Sequence, residues 1–262
     1  MKYRNRSVIF HALIGDCLYL KRKMIGMIFA KTILEIGNFK NLEISNSIKK
    51  KIMANLLFIT CNLKPVEDSS SQTAAMVFLE TYLQHNSNDI VDFVDVYRDP
   101  VQRIDIDVLR GWDKLQKGND FNALTRDEQR KILRINRTAD QFAAADKYVF
   151  VTPMWNLSFP AELKVYIDSV CIVDKTFQYT EEGPKGLLNG SGKKCLHIHS
   201  SGGLHYGKEE DHSVPYLKAV MKFMGIENFE AIVIEGVDTF PHMRKKIMEK
   251  GCSACRQVAA QF

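Results

Sequence analysis

The stretch from Ala145 to Lys164, A-D-K-Y-V-F-V-T-P-M-W-N-L-S-F-P-A-E-L-K, restricts the fold more than any other part of the chain. Its early part, Tyr148 to Val151, is a short apolar run of β-branched and aromatic residues. A run of that length and kind suits a strand buried on both faces of a parallel sheet. Thr152-Pro153 ends it, because proline has no N–H to give to a ladder. Met154, Trp155, Asn156 and Ser158 then share one loop, and Pro160 stands where a helix would begin. A large aromatic and several hydrogen-bonding groups are thus displayed at the carboxyl end of a central strand. In open α/β sheets, that is where ligands bind.

The same alternation runs through residues 54–262. A first strand spans Leu56 to Thr60, and a helix follows over Thr73 to Leu83. Ile90 to Tyr97 alternates apolar and acidic residues, as an edge strand does. Residues 98–124 carry Asp99-Pro100, Gly111-Trp112 and Gly118-Asn119 and read as a long irregular insertion. Thr125-Arg-Asp-Glu128 is a capping box for a helix reaching about Ala145. Lys175 to Gly186 sets aromatics between turn residues, as a segment packed over a neighbouring surface would. Lys194 to His199 is the fourth strand, and Pro215 to Met224 is a helix closed by Gly225. Phe229 to Glu235 is the fifth strand, and the last helix starts from Pro241. Five strands alternating with helices give a doubly wound parallel sheet in an α/β fold. The chain has no G-x-G-x-x-G, which disfavours a dinucleotide fold. The flavodoxin-like strand order 2-1-3-4-5 fits better, with its ligand at the switch between the first and third strands.

Three loops would converge there. The first holds Asp68-Ser69-Ser70-Ser71-Gln72-Thr73 ahead of a helix, with no Lys or Arg among the serines. Such a loop can hold a phosphate through neutral donors and the helix N-terminus, or the serines can be plain N-caps. It is not a P-loop, since G-x-x-x-x-G-K-[ST] is absent. The second is the Met154–Leu157 loop, where Trp155 suits the wall of a flat ligand. The third, Ser200-Ser201-Gly202-Gly203-Leu204-His205, has glycines that let backbone come close to a flat or anionic ligand. His205 is a candidate for the substrate slot. His197 and His199 share a strand face with Cys195. Two histidines at that spacing make an incomplete metal site, and buried histidines satisfied by backbone are the commoner reading, so no metal is expected. Cys252-Ser-Ala-Cys255 is a lone C-x-x-C in a late helical segment, read as buried reduced thiols of a cytoplasmic protein.

The formal charge of +5 is uneven. Residues 1–52 hold eleven Lys/Arg and three Asp/Glu; subtracting these from 36 and 31 leaves 25 basic and 28 acidic residues in 53–262. The folded part is therefore mildly acidic, which argues against nucleic acid as a partner. In residues 1–52 two apolar runs are broken by His11, Asp16, Lys31 and Glu35, and neither reaches the ~20 residues that span a bilayer. We expect residues 1–52 to be an extension outside the fold, with Met53 the true start of a domain over 53–262. The rival reading is a basic anchor on a membrane surface.

Met154-Trp155-Asn156-Leu157 with Pro160-x-x-Leu163-Lys164, the run Thr176-Phe177-x-Tyr179-Thr180-Glu181-x-Gly183-Pro184, and Ser200-x-Gly202-Gly203 closely resemble the FMN-dependent NADH-azoreductases. These are flavodoxin-like quinone and azo reductases, and the resemblance covers roughly 54–262. It implies non-covalent FMN, with Ser69 and Ser71 on the phosphate. Met154, Trp155, Asn156 and Leu157 would lie along the isoalloxazine, and Ser200, Ser201, Gly202 and Gly203 at its pyrimidine end. Tyr179 and His205 would lie in the substrate pocket. It implies a ping-pong reaction in which NADH passes a hydride to FMN and quinones or aromatic azo compounds then take the electrons. The flavin carries the chemistry, so no side chain is nominated as a catalyst. A cytoplasmic homodimer is implied, with no membrane partner. A flavodoxin-type electron carrier is the alternative on the same fold. A phospho-receiver lacks its acidic residue, since Thr152-Pro153 ends the third strand, and a serine hydrolase lacks G-x-S-x-G.

Overall fold

The computed structural model describes residues 53–189 and 192–262. The expectations for residues 1–52 lie outside the described residues. The main sheet has five parallel strands: β1 (Asn55–Thr60), β2 (Ile90–Asp95), β3 (Lys147–Pro153), β6 (Lys194–Ser200) and β7 (Asn228–Ile234). Their order is β2-β1-β3-β6-β7, which in main-sheet numbering is the expected 2-1-3-4-5. The two remaining strands, β4 (Phe177–Thr180) and β5 (Gly183–Gly186), form a separate antiparallel pair.

The side-chain period of two sends alternate residues of each strand to opposite faces. On β3, Val149 and Val151 enter one apolar layer with α1 (Ser70–His85) and α6 (Arg244–Ala259). Tyr148 and Phe150 enter the other, with α3 (Arg126–Ala144), α4 (Ala161–Val170) and α5 (Val214–Phe223). Both layers are closed by large side chains, which is why β3 is a continuous apolar run instead of an alternating one.

Local signals set the helix ends. Ser69 caps α1, its hydroxyl accepting from the Gln72 N–H, so the helix begins three residues before the expected Thr73. Thr125 and Glu128 form the capping box of α3 as read from the sequence. Pro160 is the N-cap of α4.

Two segments differ from expectation. The supposedly irregular stretch 98–124 contains α2 (Ile106–Gln116), capped by Asp105, whose side chain accepts from the N–H groups of Asp107 and Val108. Gly111 is not a turn residue: it is buried in α2, and a Cβ there would stand 2.6 Å from Ile132 Cδ1 of α3. Glycine lets the two helices approach, and Lys114 ties them with 2.8 Å bonds to both oxygens of the buried Glu128. The stretch 175–186 folds as the β4–β5 hairpin, turning at Glu181-Glu182. It packs as foreseen over a neighbour, the end of α5, where the Phe177 and Phe223 rings lie 4.7 Å apart.

Candidate flavin site

The carboxyl ends of β1, β3, β6 and β7 meet in a cleft with about 160 Å³ of free space. Asn62, Lys64, Asp68, Ser69, Ser70, Met154, Trp155, Ser200, Ser201, Gly202, Asp238 and Arg244 face it.

The β1 end is a polar cradle. Asn62, Ser69 and Ser71 are 5%, 4% and 0% exposed. Asn62 Nδ2 donates to Ser69 Oγ at 2.7 Å, and its Oδ1 accepts from the Lys64 N–H at 2.9 Å. Ser69 Oγ lies 3.3 Å from Ser71 Oγ. The leading N–H groups of α1 have no acceptor within the helix, so the cradle presents donors backed by the positive end of the helix dipole.

The β3 end is a tight turn. Trp155 and Ser158 exchange both backbone bonds, at 2.6 and 3.1 Å, around Asn156 (φ 48°) and Leu157 (φ 69°). Two positive φ values in a two-residue loop make it a primed turn. Asparagine tolerates that region and leucine does not. The Leu157 carbonyl is held by the His212 N–H at 3.1 Å. The N–H groups of Asn156 and Leu157 have no acceptor among the described residues. Trp155 is 45% exposed, and its ring is tilted against Tyr97 at 6.5 Å.

The β6 end is held from β7. Glu235 Oε1 accepts the N–H groups of His205 and Tyr206, both at 2.6 Å. The Gly203 carbonyl accepts from the Gly236 N–H, and the Gly202 carbonyl from Asp238 and Thr239. The two glycines have reasons inside the chain: a Cβ on Gly202 would meet the Asp238 carboxylate, and one on Gly203 the His205 ring. Ser201 is buried, with its hydroxyl donating to the Gly203 carbonyl at 2.9 Å.

Of the residues expected at the site, Ser69, Met154, Trp155, Ser200, Ser201 and Gly202 face the cleft, with Ser71 beneath Ser69. Asn156 and Leu157, in the turn beside Trp155, and Gly203, next to Gly202, adjoin residues of the cleft without facing it themselves. Tyr179 and His205 are not among the residues facing the cleft. Tyr179 is 71% exposed on β4, and the His205 ring lies on Gly203. The sequence reading missed Asn62, Glu235, Asp238 and Arg244. A polar residue two positions after β1 and an acid just past the end of β7 were the signals for the first two.

The histidine pair is bonded through a side chain and not through the backbone as expected, and His197 Nδ1 and His199 Nε2 are buried without a partner. Thr152 Oγ1 lies 2.8 Å from His197 Nε2 and 2.8 Å from His199 Nδ1, so one hydroxyl joins both rings. Burial pushes His199 down to about 4 and His197 well below the ordinary imidazole range, so both are neutral at pH 7. Among the described residues no cluster of three His, Cys, Asp or Glu is placed to hold a metal. Cys255 is buried in α6 and its thiol is pushed up to about 12, which removes the thiolate that redox chemistry needs.

Residues 54–259 match the family described as flavodoxin-like fold. The FMN-dependent NADH:quinone oxidoreductases of Trichlorobacter lovleyi and Geotalea uraniireducens are each 61% identical over 210 residues, 80% of this chain and all of theirs. Among solved structures, an azoreductase from Bacillus anthracis str. Sterne superposes with a TM-score of 0.74 at 34% identity, over 80% of this chain and all of its own. An FMN-dependent NADH-azoreductase from Bacillus anthracis, crystallised with FMN, superposes with a TM-score of 0.73 at 30% identity, over 79% of this chain and 98% of its own. With its parallel sheet and its three-loop cleft, the chain belongs to the family of FMN-dependent NADH:quinone oxidoreductases.

Proposed function

We propose that the chain uses FMN to carry electrons from NADH to quinones and to aromatic azo compounds in a ping-pong cycle. The carrying observation is the convergence of a buried hydroxyl cradle, an exposed aromatic and two unbonded backbone N–H groups at the ends of adjacent strands.

The residues present fit FMN. Ser69, Ser71 and the first N–H groups of α1 would hold its phosphate, as neutral donors at a positive helix end do. Trp155 offers an apolar face for a flat ring. The N–H groups of Asn156 and Leu157 would meet its polar edge, and Ser200 to Gly203 would border the pyrimidine end. When bound, FMN supplies two-electron chemistry between a nicotinamide donor and a planar acceptor. The chain's contribution is to hold that group in place and to exclude water from one side. The primed turn fixes two donors without any side chain having to move. No titratable side chain faces the cleft in a position that requires it as an acid or base, and none is assigned such a role.

We further propose that the functional unit is residues 53–262, which the match over 54–259 and the full-length coverage of relatives support. The expected homodimer would explain Tyr179, which is exposed on β4, does not face the cleft and would reach an acceptor bound by a second copy. Among the described residues no helix is long and apolar enough to cross a membrane. Among the described residues the cysteines are free, which supports a reducing, cytoplasmic setting.

An anaerobic visible spectrum tests the reading. NADH should bleach the flavin absorbance of the protein, and a quinone should restore it. Bound FMN left unchanged by NADH would move the protein to the electron-carrier class. Protein that takes up no FMN would remove the flavin reading.

A further inference from the structure

We propose that Arg244 is the cation at the phosphate end of the cleft, held by Asp238 until an anionic ligand arrives, so that the chain selects phosphorylated flavin over riboflavin. The proposal rests on the flavin reading above and goes beyond it, since the serine cluster itself holds no Lys or Arg and Lys64, which also faces the cleft, lies in the loop before it.

Arg244 opens α6, far along the chain from the serines, yet the parallel register of β7 carries it to them. Its Nη2 lies 3.4 Å from Ser70 Oγ and its Nη1 3.6 Å from Asp238 Oδ1. Both distances are at the outer edge of a bond, so the guanidinium is poised without being committed. The pair is open to solvent, with side chains 46% and 77% exposed, and exposed pairs of this kind hold weakly. A phosphate in the cradle would offer the same guanidinium two charged oxygens, in the bidentate geometry that arginine suits. Arg244 faces the cleft on one side. On the other it faces a second groove, of about 470 Å³, between α1 and α6. Lys245 lies on that groove and not on the cleft.

Asp238 has a defined place in this arrangement. Its carboxylate is packed over Gly202, where a Cβ would collide with it, and its N–H donates to the Gly202 carbonyl at 3.1 Å. It therefore keeps a negative charge beside the cradle and competes with an incoming phosphate for Arg244. Removing the charge while keeping the shape should favour the phosphate.

The test is flavin binding by the full-length chain freed of flavin, read as quenching of FMN and, separately, riboflavin fluorescence. Arg244→Gln should weaken FMN about tenfold, the lower end for a charge-assisted bond at a half-exposed site, and leave riboflavin within twofold. Asp238→Asn should tighten FMN about two- to threefold. Raising the salt concentration should weaken FMN binding to the wild type more steeply than to Arg244→Gln. Lys245→Gln makes the same charge change outside the cleft and should alter FMN binding less than twofold. Equal weakening of both flavins by Arg244→Gln would mean a structural role and overturn the proposal, as would unchanged FMN binding or an equal effect from Lys245→Gln. A wild-type chain that binds neither flavin would instead overturn the flavin reading itself.

Discussion

Glu235→Ala should free the Ser200–Tyr206 loop without unfolding the domain. Glu235 Oε1 takes two backbone N–H groups, from His205 and Tyr206, at 2.6 Å each. Bonds to a charged acceptor contribute about 1.5–3 kcal/mol each when sheltered. Here both share one oxygen at a half-buried site, so the pair together is worth about 2 kcal/mol. The neighbouring bonds from Gly236 to Gly203 and from Asp238 and Thr239 to Gly202 remain, so the loss stays local. Hydrogen exchange reads it directly: the His205 and Tyr206 amides should exchange about 30-fold faster, the equivalent of 2 kcal/mol of local opening. The amides of β6 should keep their protection. FMN and riboflavin should both weaken, and to a similar degree, because the loop borders the ring and not the phosphate. Glu235→Gln retains an acceptor and should show roughly half the exchange effect. Wild-type exchange at His205 and Tyr206 in the alanine variant would refute the argument, because the carboxylate would then not be what holds the loop.

Three other outcomes follow from buried contacts. Thr152→Val removes the hydroxyl between His197 and His199, leaving the His197 ring without its bond and His199 Nδ1 with only Ser213 Oγ at 3.5 Å, at a cost of about 3 kcal/mol in urea unfolding at pH 7. Stability should fall with acid: the folded pKa of His199, about 4, lies below the unfolded value near 6.5, so the contribution is whole above pH 6.5 and is lost as pH drops toward 4. That loss amounts to roughly 3 kcal/mol for His199, and the slope of unfolding free energy between pH 7 and 5 should flatten in His199→Asn. Gly186→Ala would place a Cβ on the Met224–Gly225 backbone, which cannot swing aside. It should cost about 2–3 kcal/mol and make the 177–186 hairpin sensitive to protease.

The strands and their order could be read from the sequence because a strand covered on both faces has to be apolar throughout, and Leu56–Thr60 and Tyr148–Val151 are nearly so. Helix α2 was hidden by Gly111-Trp112, which looks like a turn and is a close helix crossing set by Ile132 of another element. The β4–β5 hairpin was hidden because Gly-Pro-Lys-Gly has no strand propensity and pairs only through its register with Phe177–Thr180. That Ser69, Met154 and Trp155 share one cleft was legible because each stands in a short loop straight after a strand. Asp238 and Arg244, which face the cleft, and Glu235, which holds the β6 loop, were not legible, since they reach it only through the placement of β7 beside β6. Tyr179 and His205 carry suitable groups but are not among the residues that face the cleft, and a motif does not encode that placement.

The serine loop allowed two readings, helix cap or phosphate ligand, and the geometry makes them compatible. Ser69 Oγ accepts from the Gln72 N–H and from Asn62 Nδ2, which occupies the lone pairs of the hydroxyl. Its own proton is then left to donate, and within the chain its nearest acceptor is Ser71 Oγ at 3.3 Å, a long bond for two hydroxyls. A phosphate oxygen would be a stronger acceptor than that serine. Capping thus uses the accepting side of Ser69 and ligand binding would use the donating side, with Asn62 fixing which way the hydroxyl points. The same economy holds at β3. Trp155 and Ser158 close the primed turn through their own backbone bonds, which leaves the N–H groups of Asn156 and Leu157 unbonded and turned outward. Leu157 in the left-handed region costs about 1 kcal/mol, and that strain is held by the Trp155–Ser158 bonds and the His212 N–H on the Leu157 carbonyl. Both ends of the cleft therefore keep donors free while the Ser69 hydroxyl and the Trp155, Leu157 and Ser158 carbonyls accept within the fold.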